Sequence, residues 1–378
     1  MRIAFIYDAA YPWVTGGAEV RLYELARRLA GRGHDVHWYT IGWWWTDENQ
    51  DDIIRDEIKF HGVCKPTPIY SGSRRSIKEA IYFSLKLLRP LLKENFDIID
   101  CQGFPFFSSF IAWFHSLLGR SKLVITVLEV WGSYWYEYIG FLGIFGRFVE
   151  FFSLHLSNNI ISISPKTKRD FLKVRKINQV QVITPGINIS DVEKIKGSER
   201  KQDILFAGRL IKEKRVKLLI GSLIKTKEEI PDIKCLIVGD GPEKEHLVQL
   251  TQKLGLEKNV EFIGFMKNHS DLMSLMKSSR VLVLPSKREG FGMVVVEANA
   301  SGIPAIVVED PMNAACDLVE EGVNGFIAQP TPQDLSKKIE LALEKGQSMR
   351  EDCLSHAKPY DWNHLTLTLE QFYGEVLK

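Results

Sequence analysis

Two glutamates flank a glycine-rich turn in the segment KREGFGMVVVEANASGIP, residues 287–304. Glu289 stands before the turn 290–292, and Glu297 follows eight residues after Glu289. A loop of this kind that leads into a helix presents open backbone N–H groups and the positive end of the helix dipole, which together favour an anion. At ~1.5 Å rise per residue, Glu297 would lie about 7 Å along that helix.

Carboxylates beside an anion site are suited to accept hydrogen bonds from ligand hydroxyls. A nucleotide-sugar offers two hydroxyl-bearing groups, the sugar and the ribose, with a diphosphate between them. The valines at 294–296 favour a strand by local propensity, so the helix prediction places the loop-to-helix pattern above propensity. The competing structural interpretation is a helix cap followed by a surface glutamate.

Other strand-end loops hold residues of similar character. The segment AGRLIKEKRV places Arg209 at a strand end and Lys214 five residues later, and both guanidinium and ammonium groups bind phosphate. VTGGAEV places Gly16 and Gly17 where a backbone could closely approach a ligand. VGDGPEKEHL, which lacks the third glycine of the dinucleotide fingerprint, predicts only a turn. The competing interpretations are a solvated charge cluster and plain turns.

The elements around these loops alternate between strand and helix. Short apolar runs such as RIAFIY, DIIDCQ and KLVITVLE are separated by helix-length segments, and the rhythm restarts near residue 203. This pattern predicts two parallel sheets with both faces covered, which bind ligands beyond the carboxyl ends of their strands. We expect a first domain over 1–186, a second over 187–358, and a C-terminal helix over 359–378 that packs back on the first domain.

Composition agrees with two globular domains. The chain has 378 residues, of which 45% are apolar and 25% charged, with a net charge of +2. The five cysteines are scattered without a C-x-x-C spacing, which argues against a disulfide framework or a structural zinc and for a reducing cytoplasm. The stretch 101–119 is free of Asp, Glu, Lys and Arg, and it predicts a buried helix rather than a membrane span.

Together these segments match a known family. The sequence resembles the group 1 glycosyltransferases, family 4 of the retaining sugar-nucleotide glycosyltransferases, over nearly the whole chain. Its most specific segment contributes Glu289, Gly290, Phe291, Gly292, Glu297, Ala298, Ala300, Gly302 and Pro304. The other matching positions are Gly16, Gly17, Glu19, Gly186, Gly208, Arg209, Leu210, Lys214, the turn 239–242 and Trp362.

The resemblance implies the α/β GT-B fold, two doubly wound Rossmann-like domains facing across a cleft. By resemblance, Glu289 holds the hydroxyls of the donor sugar and Glu297 holds the ribose. Arg209 and Lys214 correspond to the basic pair that neutralises the leaving diphosphate, so that the resemblance implies no metal and no cofactor. The residues that it assigns to donor binding are Gly16, Gly17, Gly208, Gly290, Phe291, Gly292 and Glu297.

The sequence departs from the family pattern at two places. The family usually has a histidine followed by an acidic residue at the end of the strand in VITVLEVW. Here that position is Leu128, although Glu129 and Trp131 are as expected and are assigned to the acceptor side. The usual PNGID turn has Pro185 and Asn188 in place of its asparagine and aspartate. The missing histidine bears on the acceptor side of the mechanism more than on donor binding.

Aromatic and basic residues are concentrated in the first half. Residues 1–185 hold 23 Lys and Arg against 18 Asp and Glu, and the segment 131–152 holds ten aromatic side chains. The helical pattern IKEAIYFSLKLLRPLLK carries Lys78, Lys86, Arg89 and Lys93. Basic amphipathic helices with aromatic residues bind anionic membranes, so an anionic membrane surface is a predicted partner. Core packing or an acceptor cleft is the competing interpretation.

We therefore predict a retaining glycosyltransferase that moves a sugar from a nucleotide-sugar to a glycan or lipid-linked acceptor, in the synthesis of cell-surface glycan, glycolipid or polysaccharide. The expected location is the cytoplasm, or the inner face of the cell membrane as a peripheral protein, and no nucleic acid is expected as a partner. One alternative is a nucleotide-sugar epimerase on the same fold. Another is a non-catalytic, partner-dependent homologue, which Leu128 suggests.

Overall fold

The computed structural model describes residues 1–71, 74–266 and 268–378. It contains two compact units, one formed by Met1–Pro185 with Trp362–Lys378 and the other by Gly186–Asp361. Each unit is built on its own sheet, parallel except for one edge strand in the first unit, with helices on both faces. The prediction of two Rossmann-like domains is therefore confirmed.

The first unit begins with ten strands and six helices. The strands are β1 (Arg2–Ile6), β2 (Asp35–Thr40), β3 (Ile53–Arg55), β4 (Ile58–Gly62), β5 (Tyr70–Ser71), β6 (Arg74–Arg75), β7 (Ile98–Gln102), β8 (Lys122–Val127), β9 (Asn159–Ser162) and β10 (Val180–Val182). The helices are α1 (Gly17–Gly31), α2 (Ile77–Leu91), α3 (Phe107–Leu117), α4 (Tyr134–Ile139), α5 (Gly143–Ser153) and α6 (Pro165–Val174), with a 3₁₀ turn at Gly140–Leu142.

Eight of these strands form one sheet in the order β10-β9-β8-β7-β1-β2-β4-β3, and only β3 runs antiparallel to its neighbour. The strands next to β1 are β2 and β7, so the winding direction reverses there and the strand ends at this point border a crevice. Two apolar cores lie against opposite faces of the sheet. One contains side chains of α1, and the other contains side chains of α2, α3 and α6.

The second unit contains six strands and seven helices. In chain order they are α7 (Ile189–Lys194), β11 (Gln202–Ala207), α8 (Val216–Glu229), β12 (Cys235–Val238), α9 (Lys244–Lys253), β13 (Val260–Ile263), α10 (His269–Lys277), β14 (Ser279–Leu284), α11 (Met293–Ala300), β15 (Ala305–Val308), β16 (Gly325–Ala328), α12 (Pro332–Lys345) and α13 (Arg350–Ala357). Three 3₁₀ turns lie at Lys212–Lys214, Ala314–Leu318 and Lys358–Tyr360. The strands form a parallel sheet in the order β13-β12-β11-β14-β15-β16.

The last helix, α14 (Trp362–Leu377), belongs to the first unit and packs against α1, as predicted. Its buried Tyr373 donates a hydrogen bond to Oδ2 of Asp100 on β7, at 2.7 Å. An ion pair of 2.7 Å joins Arg32 to Glu370 at the surface. Among the residues that the structure describes, no helix is both long and apolar enough to span a membrane.

Candidate functional site

In the second unit, the predicted site residues gather at the carboxyl ends of the neighbouring strands β11 and β14. The loop after β11 carries Gly208 and the exposed Arg209. The loop after β12 holds this backbone in place, because Gly208 N–H donates to the Val238 carbonyl at 3.0 Å and Leu210 N–H donates to the Asp240 carbonyl at 2.8 Å. Arg209 is thus presented from a backbone anchored on both sides.

Gly239 is the residue that permits this close contact between loops. Its φ is +145°, and a Cβ atom there would lie 1.9 Å from the carbonyl oxygen of Gly208. Backbone of this conformation with no room for a side chain requires glycine. The turn 239–242 therefore supports the loop that carries Arg209, which gives its glycines a structural reason.

Lys214 and Glu289 form the centre of the site. Lys214 Nζ lies 2.5 Å from Glu289 Oε1, and Ser286 Oγ donates to the same oxygen at 2.6 Å. The Lys214 and Glu289 side chains are 20% and 12% exposed, so the pair is partly shielded but open to solvent. A further bond, from Lys287 N–H to the Glu213 carbonyl at 2.7 Å, ties the two loops together. A predicted cation and a predicted carboxylate, 75 residues apart, are thus direct partners.

The backbone of Glu289 is also held from the loop after β15. Glu289 N–H donates to the Met312 carbonyl at 3.1 Å, and Ala314 N–H donates to the Glu289 carbonyl at 3.0 Å. Between them, the buried Asn313 amide donates to the Ser286 carbonyl at 3.2 Å. Three strand-end loops therefore set the position of the Glu289 carboxylate.

Helix α11 begins directly after Gly292, which confirms that the segment is helical despite its three valines. Gly292 has a φ of +104°, and a Cβ there would lie 2.7 Å from Ala315 Cβ. Val295 and Val296 are buried, so packing outweighs the strand propensity of β-branched residues. The Phe291 side chain is buried as well, with its ring centroid 5.7 Å from that of Tyr360. Only the backbone of the turn 290–292 is therefore placed to meet a ligand.

Glu297 lies on α11 and has a basic partner that the sequence analysis missed. His269 Nε2 lies 2.8 Å from Glu297 Oε1 and donates to it, since a carboxylate only accepts. The Glu297 side chain is nearly buried, whereas that of His269, in the first turn of α10, is largely exposed. The one sequence signal for His269 was its place at a helix start shortly after a strand.

The predicted glycines of the first unit lie where β1 leads into α1. Gly16 precedes α1 with an extended backbone, and Gly17 is the first helical residue. A Cβ on Gly16 would lie 2.4 Å from Oε2 of Glu19, a buried carboxylate whose Oε1 accepts from Tyr7 Oη at 3.2 Å. Burial raises the pKa of Glu19. Gly16 thus makes room for this carboxylate.

Glu129 and Trp131 follow β8 in the first unit and contact each other. Trp131 Nε1 donates to Glu129 Oε2 at 3.0 Å, and the Trp131 ring stacks on Phe104 with 5.2 Å between centroids. Leu128, half-buried, stands immediately after β8. The aliphatic side chain therefore occupies the strand-end position at which the family usually has histidine.

An unpredicted cluster of charges lies beside the end of β1. Arg75 pairs with Asp8, and its Nη2 lies 3.9 Å from Glu79 Oε2. Asp8 is fully buried and Glu79 is 3% exposed. Burial, together with the charge of Asp8, raises the pKa of Glu79 to about 8. Since 67 residues separate Asp8 from Arg75, no local pattern indicated this pairing.

Within the described residues, no group of three or more His, Cys, Asp or Glu side chains could hold a metal ion. The five cysteines, Cys64, Cys101, Cys235, Cys316 and Cys353, are all free.

Known proteins resemble the chain over nearly its whole length. The family model Glycosyltransferase Family 4 matches residues 15–191, and Glycosyl transferases group 1 matches residues 189–359. An uncharacterised glycosyltransferase from Methanocaldococcus jannaschii is 27% identical over 97% of this chain and 96% of its own. N-acetyl-alpha-D-glucosaminyl L-malate synthase from Bacillus anthracis is 25% identical over 84% of this chain and 82% of its own.

Solved structures show the same fold. Sucrose-phosphate synthase from Thermosynechococcus elongatus superposes with a TM-score of 0.79 at 20% identity, over 99% of this chain and 98% of that one. HepE from Anabaena, solved with UDP and glucose, has a TM-score of 0.76 at 20% identity, over 99% of this chain and all of its own. These likenesses confirm the GT-B fold. Since the two family models together run from residue 15 to residue 359, the chain belongs to the group 1 glycosyltransferases.

Proposed function

We propose that this glycosyltransferase moves a sugar from a nucleotide-sugar donor to a hydroxyl of a glycan or lipid-linked acceptor, with retention of anomeric configuration. The observation that carries the proposal is the Lys214–Glu289 pair, 2.5 Å apart, beside the turn that starts α11. The pair offers an ammonium for phosphate oxygens next to a carboxylate for sugar hydroxyls. The N-terminus of α11 adds its dipole and open N–H groups.

The remaining residues fit the parts of such a donor. Arg209 and Lys214 would bind the diphosphate, with the backbone of the turn 290–292. Glu289 would accept hydrogen bonds from sugar hydroxyls. Glu297 would accept them from the ribose, with His269 fixing the orientation of its carboxylate. HepE was solved with UDP and with UDP-glucose, which supports a nucleotide-sugar as the donor class.

The reaction balances without an ionisable side chain at position 128. The bond from the anomeric carbon to the diphosphate oxygen breaks, and its electron pair leaves with the diphosphate. The acceptor oxygen bonds to the anomeric carbon on the same face, and its proton passes to the departing diphosphate oxygen. Arg209, Lys214 and the start of α11 stabilise the negative charge that develops on this oxygen. Electrostatic stabilisation of this kind is usually the largest single contribution to the rate enhancement. In this mechanism the same groups, and no metal or cofactor, neutralise the diphosphate.

Thermal shift of the full chain with UDP-, GDP- and ADP-sugars, with and without EDTA, tests donor binding. A ligand at 100 times its dissociation constant adds about 2.7 kcal/mol of stability. We expect one nucleotide class to raise the melting temperature equally with and without chelator. A shift that EDTA abolishes would contradict the metal-free mechanism, and no shift with any donor would contradict the donor class.

Product analysis separates the proposed transferase from its two alternatives. Hydrolysis of the donor, or transfer of its sugar to an acceptor with the anomeric configuration retained, supports the transferase. Conversion of the donor to an isomeric sugar nucleotide without an acceptor would indicate an epimerase. Donor binding without turnover would indicate a partner-dependent homologue, which Leu128 favours. The free cysteines suit a reducing compartment, so we place the reaction in the cytoplasm.

A further inference from the structure

One side of the first unit carries most of the exposed apolar surface. Here α3 packs between α2 and α5, on the sheet face opposite α1. The outer sides of these helices and the adjoining residues hold 15 of the 21 exposed large hydrophobic side chains in the described chain. We call them the apolar face: Ile77, Ile81, Tyr82, Leu85, Trp113, Phe114, Leu117, Leu118, Phe141, Leu142, Ile144, Phe145, Phe148, Phe151 and Phe152.

Several side chains of the apolar face are exposed over most of their surface. Phe141, Phe145 and Phe148 are 84%, 67% and 63% exposed. The prediction of a buried helix within 101–119 is wrong for the outer side of α3, because α2 and α5 flank it without covering Trp113, Phe114 and Leu117. Exposed apolar patches of this extent mark interaction sites in proteins.

In α2, α3 and α5, the acidic side chains are buried and the Lys and Arg side chains are exposed. The two acidic residues, Glu79 and Glu150, are both buried, and Glu150 accepts hydrogen bonds from the N–H groups of Trp131 and Gly132 at 2.6 and 3.0 Å. The basic side chains that point outward are Lys78, Lys86, Arg89 and Arg147. The outer surface of α2, α3 and α5 is therefore apolar and positive, and the exposed acid closest in sequence to α5, Glu137, lies on α4.

This combination selects the kind of partner. A second copy of the chain would bring the same positive side chains against themselves, which like-charge repulsion opposes. An anionic bilayer complements both properties, because aromatic side chains enter the acyl boundary while Lys and Arg remain at the headgroups.

We infer that the apolar face binds the surface of an anionic phospholipid bilayer, with Phe141, Phe145 and Phe148 inserted and Lys78, Lys86, Arg89 and Arg147 at the phosphates. The interaction does not rest on the proposed donor chemistry, since vesicle binding needs no sugar nucleotide. Its success or failure is therefore separate from that of the proposed function.

Flotation of the full chain with vesicles tests the apolar part. The vesicles contain either phosphatidylcholine alone or equal parts of phosphatidylcholine and phosphatidylglycerol. Phe145→Ser should weaken binding to the anionic vesicles roughly tenfold, as expected from the apolar area that a phenylalanine loses. Phe265→Ser is the matched control, because Phe265 lies in the second unit and is 66% exposed, against 67% for Phe145. Equal weakening by both variants would overturn the inference.

Charge reversal tests the electrostatic part. Each basic side chain at an anionic surface is worth roughly fivefold in binding, so Lys86→Glu with Arg89→Glu should lower it by more than an order of magnitude. Lys225→Glu with Lys337→Glu, at exposed positions of the second unit, is the control and should bind like the wild type. Binding to the anionic vesicles should also fall in 1 M salt, where the Debye length is ~3 Å.

The remaining outcomes also decide. Unchanged melting temperatures in the absence of vesicles would show that the variants fold. Wild-type protein that does not float with anionic vesicles, or floats equally with both kinds, would overturn the inference. Light scattering without lipid is expected to show a monomer for wild type and Phe145→Ser. A wild-type dimer that Phe145→Ser dissociates would assign the face to a second copy instead.

Discussion

Carboxylates beside the strand ends of the two units are used in opposite ways. In the second unit, Glu289 is paired with Lys214 at 2.5 Å and Glu297 with His269 at 2.8 Å, so each carboxylate has its own basic partner. In the first unit, Asp8 and Glu79 lie around the single guanidinium of Arg75 and are withdrawn from solvent.

This difference indicates that the charged side chains of the second unit are available to a ligand, whereas those of the first unit are buried in the folded structure. The partly exposed Lys214 ammonium can exchange its carboxylate contact for a phosphate contact at little desolvation cost. In the first unit, burial and the negative charge of Asp8 raise the pKa of Glu79, so the cluster makes the free energy of unfolding depend on pH. We therefore expect substitutions in the Lys214–Glu289 pair to affect turnover, and substitutions in the Asp8–Arg75–Glu79 cluster to affect stability.

The largest effect is expected from Lys214→Ala and Glu289→Ala. Loss of a preorganised partner of the transition state costs ~10²–10³ in rate. Because the two side chains contact each other, the double variant should lose much less than the product of the single losses. Donor turnover by the four proteins gives the coupling directly.

Glu321→Ala is the matched control for this cycle. It removes the carboxylate of another Glu–Lys pair in the same unit, Glu321 with Lys338, at an exposed position. Turnover close to wild type is expected. A wild-type rate in Glu289→Ala would show that the assigned sugar contact is wrong.

Glu79→Gln should change how stability depends on pH. A carboxyl whose pKa rises from 4.5 to about 8 on folding binds more protons in the folded state, so its contribution makes unfolding easier as pH increases through that window. One unit of pKa corresponds to about 1.4 kcal/mol, and we expect a difference of at least that order. The amide of glutamine does not titrate in this range, so the variant lacks this contribution to the pH dependence.

Melting temperatures from pH 5 to pH 8 provide the measurement. The advantage of Glu79→Gln over wild type should grow steadily across this range. Glu340→Gln, at a partly buried glutamate of α12, serves as the control and should keep the wild-type slope. Parallel curves for wild type and Glu79→Gln would mean that Glu79 titrates at a similar pH in the folded and unfolded chains.

A smaller effect is expected from His269→Ala. Loss of one hydrogen bond to a carboxylate costs about 1.5–3 kcal/mol when the acceptor is left unsatisfied, and less where water replaces it. Since the His269 side chain is largely exposed, we expect a several-fold rise in the apparent KM for donor with little change in kcat. Glu297→Ala should act in the same direction and more strongly. A fall in kcat at unchanged KM would contradict a role in ribose binding.

The smallest effect is expected at Leu128. In the proposed mechanism the diphosphate accepts the proton, so wild type should turn over without a pH limb near the ~6.5 of an unperturbed histidine. Leu128→His should leave the rate at pH 8 near that of the wild type. Inactive wild type beside an active Leu128→His variant would show that the first unit needs an ionisable group there.

Strands, helices and loop chemistry could be predicted because they depend on short segments. The helix after the turn 290–292 and the helical apolar spacing of the C-terminal segment are examples. Contacts between distant loops could not, since they depend on strand order and register. The bond from His269 to Glu297 joins two helices, and the pairing of Arg75 with Asp8 joins segments that are separated in the chain by α1 and the four strands β2 to β5. Likewise, the apolar composition of α3 did not reveal which of its sides remains uncovered.

Gly239 has a consequence for the way this enzyme can be altered. Here two segments of the main chain are in contact, so the Cβ atom of any other amino acid would clash with the carbonyl oxygen of Gly208. In a library that randomises the loops of the second unit, position 239 should return only glycine among functional clones. The neighbouring exposed position 209 is free of that steric limit, so its tolerance would report on chemistry alone. In a selection for new donors, position 239 would therefore report only the steric requirement for glycine, whereas position 209 would report on donor binding.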